Sequence, residues 1–180
     1  MGLRVHYASR ATRPRLAVAA EVIAGLDEWV TSSLRFSSDP AELDLDLVFQ
    51  WLSEDAYWAI GRSRATHDAA ISGSRNYGVF DGDSGAQLGF ARIITDGATF
   101  AWLCDVYVAP DARGRGAGQL LLTGILAELD PLGLKRIGLR TLDAHSLYEK
   151  FGFEALEEPE TWMVRESVQG ATPRAAAAAA

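Results

Sequence analysis

Residues 108–118 read Val-Ala-Pro-Asp-Ala-Arg-Gly-Arg-Gly-Ala-Gly, and this stretch decides the fold class of the chain. An apolar run with the alternation of a strand enters it at 99–108, and an apolar run with helical spacing leaves it at 119–129. A strand, a glycine-rich turn and a helix start together aim backbone N–H groups at a phosphate. Glycines leave no side chain in the way, and a helix N-terminus carries partial positive charge. The stretch therefore predicts a phosphate-binding turn.

The spacing of the glycines excludes two common phosphate-binding motifs. A dinucleotide-binding turn needs a third glycine where this chain has Gln119, and a nucleotide-triphosphate loop needs a lysine that does not follow these glycines. The pattern that fits is Arg-x-x-Gly-x-Gly, formed by Arg113, Gly116 and Gly118, with Val108 five residues before the arginine. This pattern resembles the pyrophosphate-binding motif of the GNAT superfamily, the acyl-CoA-dependent N-acetyltransferases. A glycine-rich turn that merely starts a helix is the alternative.

A second segment, residues 141–153, resembles the C-terminal motif of the same superfamily. In that motif a helix carrying Ala-x-x-x-Tyr ends in Gly-Phe, and here Ala144, Tyr148 and 152–153 occupy those places. One departure is Thr141, which stands where the family often has asparagine; it keeps a hydroxyl but offers no amide. The two motifs follow in the family's order and separation, and the resemblance covers roughly residues 43–166.

The resemblance implies an α+β (mixed α/β) acyl-CoA N-acyltransferase fold. In it, helices flank a twisted, mostly antiparallel mixed sheet whose central strands splay apart to admit the pantetheine arm. It also implies acetyl-CoA as cofactor. The residues implied to bind it are Val106, Tyr107, Val108, Arg113, Gly114, Arg115, Gly116, Ala117, Gly118 and Thr141.

The resemblance gives the catalytic acid, and position on the strand gives a candidate base. Tyr148 matches the family tyrosine that protonates the leaving thiolate; the alternative is a core tyrosine. Asp105 precedes the pantetheine-binding residues on the same strand and is the candidate general base. Its alternative role is to accept structural hydrogen bonds only.

The expected function is transfer of an acetyl group to a primary amine of a small molecule or an amino terminus, by direct attack in a ternary complex. Glu54, Tyr57 and Trp58 are candidates for the acceptor site, because clustered aromatics suit an apolar or cation-recognising pocket. Two alternatives remain: a non-catalytic acyl-CoA-binding regulatory module, and a structural dimerisation domain built on residues 15–36, which leaves a homodimer possible.

Composition sets the outer bounds. The chain has 180 residues with 48% hydrophobic residues, which suits one domain with a sizeable core. The net charge of −7 argues against nucleic-acid binding. Cys104, the only cysteine, excludes an internal disulfide, and the three histidines lack metal-ligand spacing, so no metal is expected. No apolar run is long enough for a membrane helix and no secretory pattern stands at the N-terminus, so the cytoplasm is the expected location.

The expected organisation is an N-terminal extension at 1–40 with a helix at 15–36, a domain at 43–166 and a disordered tail at 167–180. Within the domain, strands are predicted at 43–51, 77–80, 87–95, 99–108, 136–140, 153–156 and 161–165. Helices are predicted at 53–60, 64–72, 116–129 and 144–150.

Overall fold

The computed structural model describes residues 33–165. The strands are β1 (Leu34–Ser37), β2 (Arg75–Asp81), β3 (Gln87–Thr95), β4 (Phe100–Val108) and β5 (Arg136–Gly138). The α-helices are α1 (Leu45–Gln50), α2 (Arg64–Ser72), α3 (Ala117–Leu129) and α4 (His145–Glu149). Helix α1 continues as a π-helical turn at Trp51–Asp55, and short 3₁₀ turns lie at Pro40–Glu42, Pro110–Ala112, Asp130–Leu132 and Pro159–Thr161.

The five strands form one sheet in chain order, as the mixed and mostly antiparallel fold class predicts. Strands β1 to β4 pair antiparallel, whereas β4 and β5 pair parallel. The β4–β5 ladder is short, because β5 pairs only with residues 100–102 of β4. Among the described residues, nothing pairs with 103–108 on that side. We call this stretch of β4, residues 103–108, the open half; it is the expected splay.

A register shift between β3 and β4 coincides with the open half. Phe90 lies opposite Tyr107, but Arg92 lies opposite Cys104, so β4 contains one extra residue at this point. Asp105 sits in this bulge with φ of +53°, a conformation that is uncommon for a residue with a side chain. The bulge sends Val106 toward α3 and α4, and Tyr107 toward α1.

Two apolar clusters cover the two faces of the sheet. Helix α3 packs on one face through four buried side chains, Leu121, Leu122, Ile125 and Leu129, as its helical spacing predicts. The other face is covered by α1 and the segment after it, through Val48, Leu52, Ala56 and Ala59. Both clusters reach β4, and the open half therefore lies between them.

The predicted strand at 43–51 is wrong, because these residues form helix α1 and its π-helical extension. Asp44 caps the helix by accepting a hydrogen bond from the Leu47 amide at 2.9 Å. The fully buried positions are Val48 and Leu52, which have helical spacing. In the sequence, the alternation of leucines with aspartates at the start of the segment is more evident than the helical spacing of the buried residues.

Several further expectations about elements change. Residues 34–36 belong to strand β1, so the predicted helix at 15–36 is wrong for its last residues; the rest of it, like the tail at 167–180, lies outside the described residues. The final strand pair at 153–156 and 161–165 is also wrong, since neither segment is extended into a ladder. Met163 and Val164 are 95% and 85% exposed, so burial gives no driving force for pairing there. The predicted helix at 53–60 is wrong beyond Asp55, because the π-helical turn ends there, Ala56 is extended and turns follow it. The other predicted strands and helices are confirmed, with small changes at their ends.

Gly124 allows α3 to lie directly on β1. A Cβ at this position would overlap the Phe36 ring, so we expect Gly124→Ala to lower the free energy of unfolding by about 1–3 kcal/mol. Alanine has a higher helix propensity than glycine, so without the Phe36 ring the same substitution would raise the free energy of unfolding. Urea unfolding in the wild-type and Phe36→Ala backgrounds checks this: the loss should disappear in the second. An equal loss in both backgrounds would contradict the close packing.

Candidate functional site

The glycine-rich turn opens onto a cavity of about 280 Å³ at the start of α3. Gly114 and Gly116 adopt φ of +74° and +87°, which residues with a Cβ rarely adopt, and this explains the glycines at both positions. The cavity is lined by Val108, Ala112, Arg113, Gly114, Gly116, Ala117, Gly118, Gln119 and Leu147. Six of the residues expected to bind the cofactor therefore surround one cavity at a helix N-terminus, where phosphates bind readily.

Arg115 and Thr141, also expected to bind the cofactor, point elsewhere. Arg115 turns away from the cavity, with its guanidinium 3.8 Å from the carboxylate of Asp81. Thr141 does not line the cavity either; its hydroxyl accepts a hydrogen bond from the Ala144 amide at 3.1 Å, at the start of α4. Both contacts give these side chains a role in local structure.

Arg113 folds back over the end of β4. Its Nε donates to the Val108 carbonyl at 3.0 Å, and its guanidinium lies 5.7 Å from the centre of the Tyr107 ring. It also lies 3.6 Å from the Asp55 carboxylate. The guanidinium is therefore held at the rim of the cavity and still exposes more than half of its side chain.

The open half of β4 carries the three residues expected to bind pantetheine through their main chain. Val106 packs on the α3–α4 side, whereas the Tyr107 side chain is buried on the other and stacks on Trp51 with ring centres 5.2 Å apart. The Tyr107 hydroxyl donates to Asp55 at 2.6 Å. Burial and this carboxylate raise the pKa of Tyr107 to about 12. The side chains thus fix the strand and leave its edge free.

Tyr148 lies on α4 with only 8% of its surface exposed, and it packs edge-on against Phe153. Burial raises the pKa of Tyr148 to about 12, with further effects of the same sign from Asp143 and Tyr57. Its hydroxyl makes no hydrogen bond to another described residue. Tyr148 is therefore a protonated phenol at neutral pH, available as a donor.

Asp105 is 5% exposed, and its carboxylate is fully engaged. It accepts hydrogen bonds from Arg62 at 2.6 and 2.9 Å, from Arg92 Nε at 2.6 Å and from Trp58 Nε1 at 3.2 Å. Burial acts to raise the pKa of Asp105, but the two guanidinium groups outweigh it and hold that pKa below its ordinary value. These contacts favour the structural alternative that the sequence left open for Asp105.

The aromatic residues expected at the acceptor site lie together. Tyr57 and Trp58 pack edge-to-face with ring centres 4.8 Å apart, and both are more than 40% exposed. Tyr57 is one of the groups that raise the pKa of Tyr148, after burial and Asp143. Glu54 is exposed, and the side-chain contact it makes is a 3.5 Å hydrogen bond from Gln50.

Arg62 and Arg92 are the polar side chains of this region that sequence reasoning missed. Arg62 lies in the loop before α2 and carries no local signal. Arg92 does carry one, because it is a lone charge in the otherwise apolar strand β3. A charge on a strand with both faces covered implies a buried partner, and that partner is Asp105.

Cys104 and the remaining ionisable groups add no second centre to the described region. Burial raises the pKa of the Cys104 thiol to about 11, as expected for a small buried side chain and not for a nucleophile. Within residues 33–165 no three acidic, cysteine or histidine side chains are placed to hold a metal ion. None of the helices in this range is long and apolar enough to span a membrane.

The known proteins that resemble this chain include the following three. A crystal structure of a candidate GNAT acetyltransferase from Xanthomonas campestris is 40% identical, with a TM-score of 0.69, and the match covers 74% of this chain and 93% of that one. A protein of Gibberella zeae named as a candidate acetyltransferase is 32% identical over 142 residues, 68% of this chain and 79% of the relative. A Staphylococcus aureus protein, at 22% identity and a TM-score of 0.57 over 74% of this chain and 99% of that one, supports the fold alone.

A family profile matches the chain across the whole region that builds the cavity, the open half of β4 and Tyr148. The match runs over residues 45–153 and is to the acetyltransferase (GNAT) family, whose general activity is acyl transfer. With a profile match over most of the described residues, a 40% identical solved relative and a 32% identical curated one, the chain belongs to the GNAT family of acetyltransferases.

Proposed function

We propose that this protein transfers the acetyl group of acetyl-CoA to a primary amine, by direct attack within a ternary complex. The observation that carries the proposal is that helix α4 borders the cavity and also carries Tyr148. Leu147 lines the cavity, Tyr148 follows it on α4, and Val106 packs in the same cluster as Tyr148. A ligand that enters at the glycine-rich turn and follows the open half of β4 is thereby led to a buried phenol.

The described residues fit coenzyme A. The amides at the start of α3 would hold the pyrophosphate, because the glycines at 114, 116 and 118 leave the backbone accessible. No strand among the described residues pairs with residues 106–108 on the side away from β3. Their main-chain groups, apart from the Val108 carbonyl that accepts from Arg113, would bind the amides of pantetheine as a further strand would. When bound, acetyl-CoA supplies an activated thioester carbonyl.

Tyr148 would stabilise the leaving sulfur. Its raised pKa keeps the proton on the phenol at neutral pH, so the group enters the reaction as a hydrogen-bond donor. Complete transfer of the proton from this phenol to a free thiolate would be unfavourable, because the resulting thiol has a pKa of only about 8.5. Its contribution is therefore greatest as negative charge develops on the sulfur.

Asp105 is better suited to positioning than to proton abstraction. A carboxylate that accepts four hydrogen bonds, three of them from arginine, has little tendency to take a proton from an amine. In our proposal Asp105 fixes Trp58 and the two arginines, and the amine loses its proton to water.

The proposal is tested by binding and turnover with one matched pair of variants. A Cβ at Gly118 would meet Leu147 and Val108 at ordinary contact distances of 3.6 and 3.7 Å, so both serine and aspartate fit there. We expect Gly118→Asp to weaken acetyl-CoA binding at least about tenfold, because it adds a negative charge beside the pyrophosphate, whereas Gly118→Ser retains most of the affinity. Calorimetry measures the affinity, and release of free thiol on an amine panel measures turnover.

The results separate the proposal from its alternatives. Equal affinity of both variants and wild type would place the cofactor elsewhere. Tight binding of acetyl-CoA without thiol release on any amine would favour the non-catalytic acyl-CoA-binding module. The exposed pair Tyr57 and Trp58 favours the enzyme, since a regulatory module has no need of an aromatic acceptor surface.

A further inference from the structure

Two arginines, Arg62 and Arg92, meet at one buried carboxylate, that of Asp105, which also accepts a hydrogen bond from Trp58. We call them the arginine pair. Their side chains are 15% and 12% exposed, against 3% for Asp105. Arg62 holds Asp105 through both terminal nitrogens, and Arg92 holds it through Nε. Two guanidinium groups are therefore almost withdrawn from water but still reach the surface.

The buried cluster of the arginine pair and Asp105 has a net positive charge. Two arginines and one aspartate leave one unit of positive charge. Burial and the nearby Arg62 lower the pKa of His67, so this histidine adds no charge at neutral pH. Of the nearby acids, Asp55 is engaged by Tyr107 and Arg113. Asp68 and Asp46 share Arg64, and these three side chains are at least half exposed, so water screens their charges. A partly buried surplus charge calls for an anion from outside.

The arginine pair also has hydrogen-bond donors to spare. A guanidinium has five N–H groups. Arg92 uses Nε on Asp105 and Nη1 on Ser74, at 3.0 Å, which leaves Nη2 without a partner among the described residues. Arg62 uses one hydrogen on each terminal nitrogen and leaves Nε unused within the same range. The surplus charge therefore comes with donors that can form bonds.

A chain of contacts links this surplus to Trp58 and Tyr57. Trp58 donates to Asp105, and its ring packs against Tyr57 at 4.8 Å. Tyr57 is also one of the groups that raise the pKa of Tyr148. The arginine pair is thus linked through Asp105 to the two exposed aromatic side chains expected at the acceptor site.

We propose that the acetyl acceptor is an amine that also carries a carboxylate, and that the arginine pair binds this carboxylate. The inference rests on the proposed function and names its substrate class. Guanidinium groups match carboxylates in shape as well as charge. A carboxylate neutralises the single surplus charge, whereas a phosphate monoester carries nearly two charges at neutral pH and would leave an excess.

Equilibrium binding of product analogues tests the site without relying on turnover. The probes are N-acetylglycine, N-acetylleucine and N-acetylphenylalanine, each with its amide, titrated in the presence of CoA. We expect at least one acid to bind about tenfold more tightly than its amide. Arg92→Gln should reduce that preference to less than about threefold, and Arg62→Gln should do the same if Arg92→Gln does not fold. Arg35→Gln, at an exposed pair with Glu42 on β1, is the control and should retain the preference.

Three results would overturn the inference. They are equal binding or no binding of all acids and amides, a preference that survives in both arginine variants, and tighter binding of N-acetylaminomethylphosphonate than of N-acetylglycine. Thiol release distinguishes this failure from that of the proposed function. Acetylation of amines regardless of a carboxylate would keep the enzyme and remove the inference. Binding of the acids with no acetylation of any amine would keep the anion site and remove the enzyme.

Discussion

Replacing Tyr148 with phenylalanine is expected to lower kcat by about a hundredfold, in the lower part of the range for loss of a general acid. The ring stays in place against Phe153, so the packing of α4 is preserved. Only the hydroxyl that we propose stabilises the departing sulfur is lost. Acetyl-CoA should bind with nearly unchanged affinity, because the cavity at the glycine-rich turn does not include Tyr148. Steady-state thiol release and calorimetry measure the two quantities.

Tyr77→Phe provides a matched control for this experiment. Tyr77 is buried in the same apolar cluster, and burial raises its pKa to about 12 as well. It lies on β2 and does not border the open half of β4. If both variants lost turnover to the same degree, the cause would be the loss of a buried hydroxyl, and the assignment of Tyr148 would fail. A Tyr148→Phe variant with kcat close to that of the wild type would also contradict the assignment of Tyr148.

Replacing Asp105 with asparagine is expected to have the largest effect on stability. The change leaves Arg62 and Arg92 buried without an anionic partner, and breaking a buried pair in this way typically lowers the free energy of unfolding by about 3–5 kcal/mol. Urea unfolding measures it. Glu42→Gln is the control, because its pair with Arg35 is exposed and should matter little. Equal losses in the two variants would contradict the role given to the buried cluster.

The same variant has a defined signature in pH. The pKa of Asp105 is lower in the folded protein than in the unfolded chain, because two guanidinium groups stabilise its charged form. Its contribution to stability is therefore complete above the ordinary carboxyl pKa of about 3.9 and is lost as the pH falls toward the folded value. Asp105→Asn should flatten the acid side of the stability profile. An effect confined to the pH dependence of kcat/KM, with stability unchanged, would instead identify Asp105 as the base.

The cavity was predictable from sequence because its signals are local. The alternation that ends at Val108, the glycines that need positive φ and the apolar face of α3 all lie within about 30 residues. The position of Tyr148 followed from a second local motif. The resemblance to a family added the splay, and the short β4–β5 ladder agrees with it.

What the sequence did not reveal depends on long-range contacts or on two patterns that overlap. The alternation from Leu43 to Trp51 resembled a strand, but the Asp44 cap and the buried Val48 and Leu52 select a helix. The contact of Arg62 with Asp105 spans 43 residues, and no periodicity indicates it. The expected strands at 153–156 and 161–165 had suitable composition, yet strand formation needs a partner that composition cannot supply.

The bulge at Asp105 has a consequence for solubility. Beyond Trp102, β4 is an edge strand, and an exposed edge is a template on which another chain can add and aggregate. An extra residue twists a strand locally and breaks the regular spacing that a second strand needs. The same irregularity that turns a carboxylate toward two arginines thus makes the exposed edge a poor match for the edge of a neighbouring molecule. A protein with a free strand edge at its proposed ligand site can in this way avoid edge-to-edge association with other copies of itself.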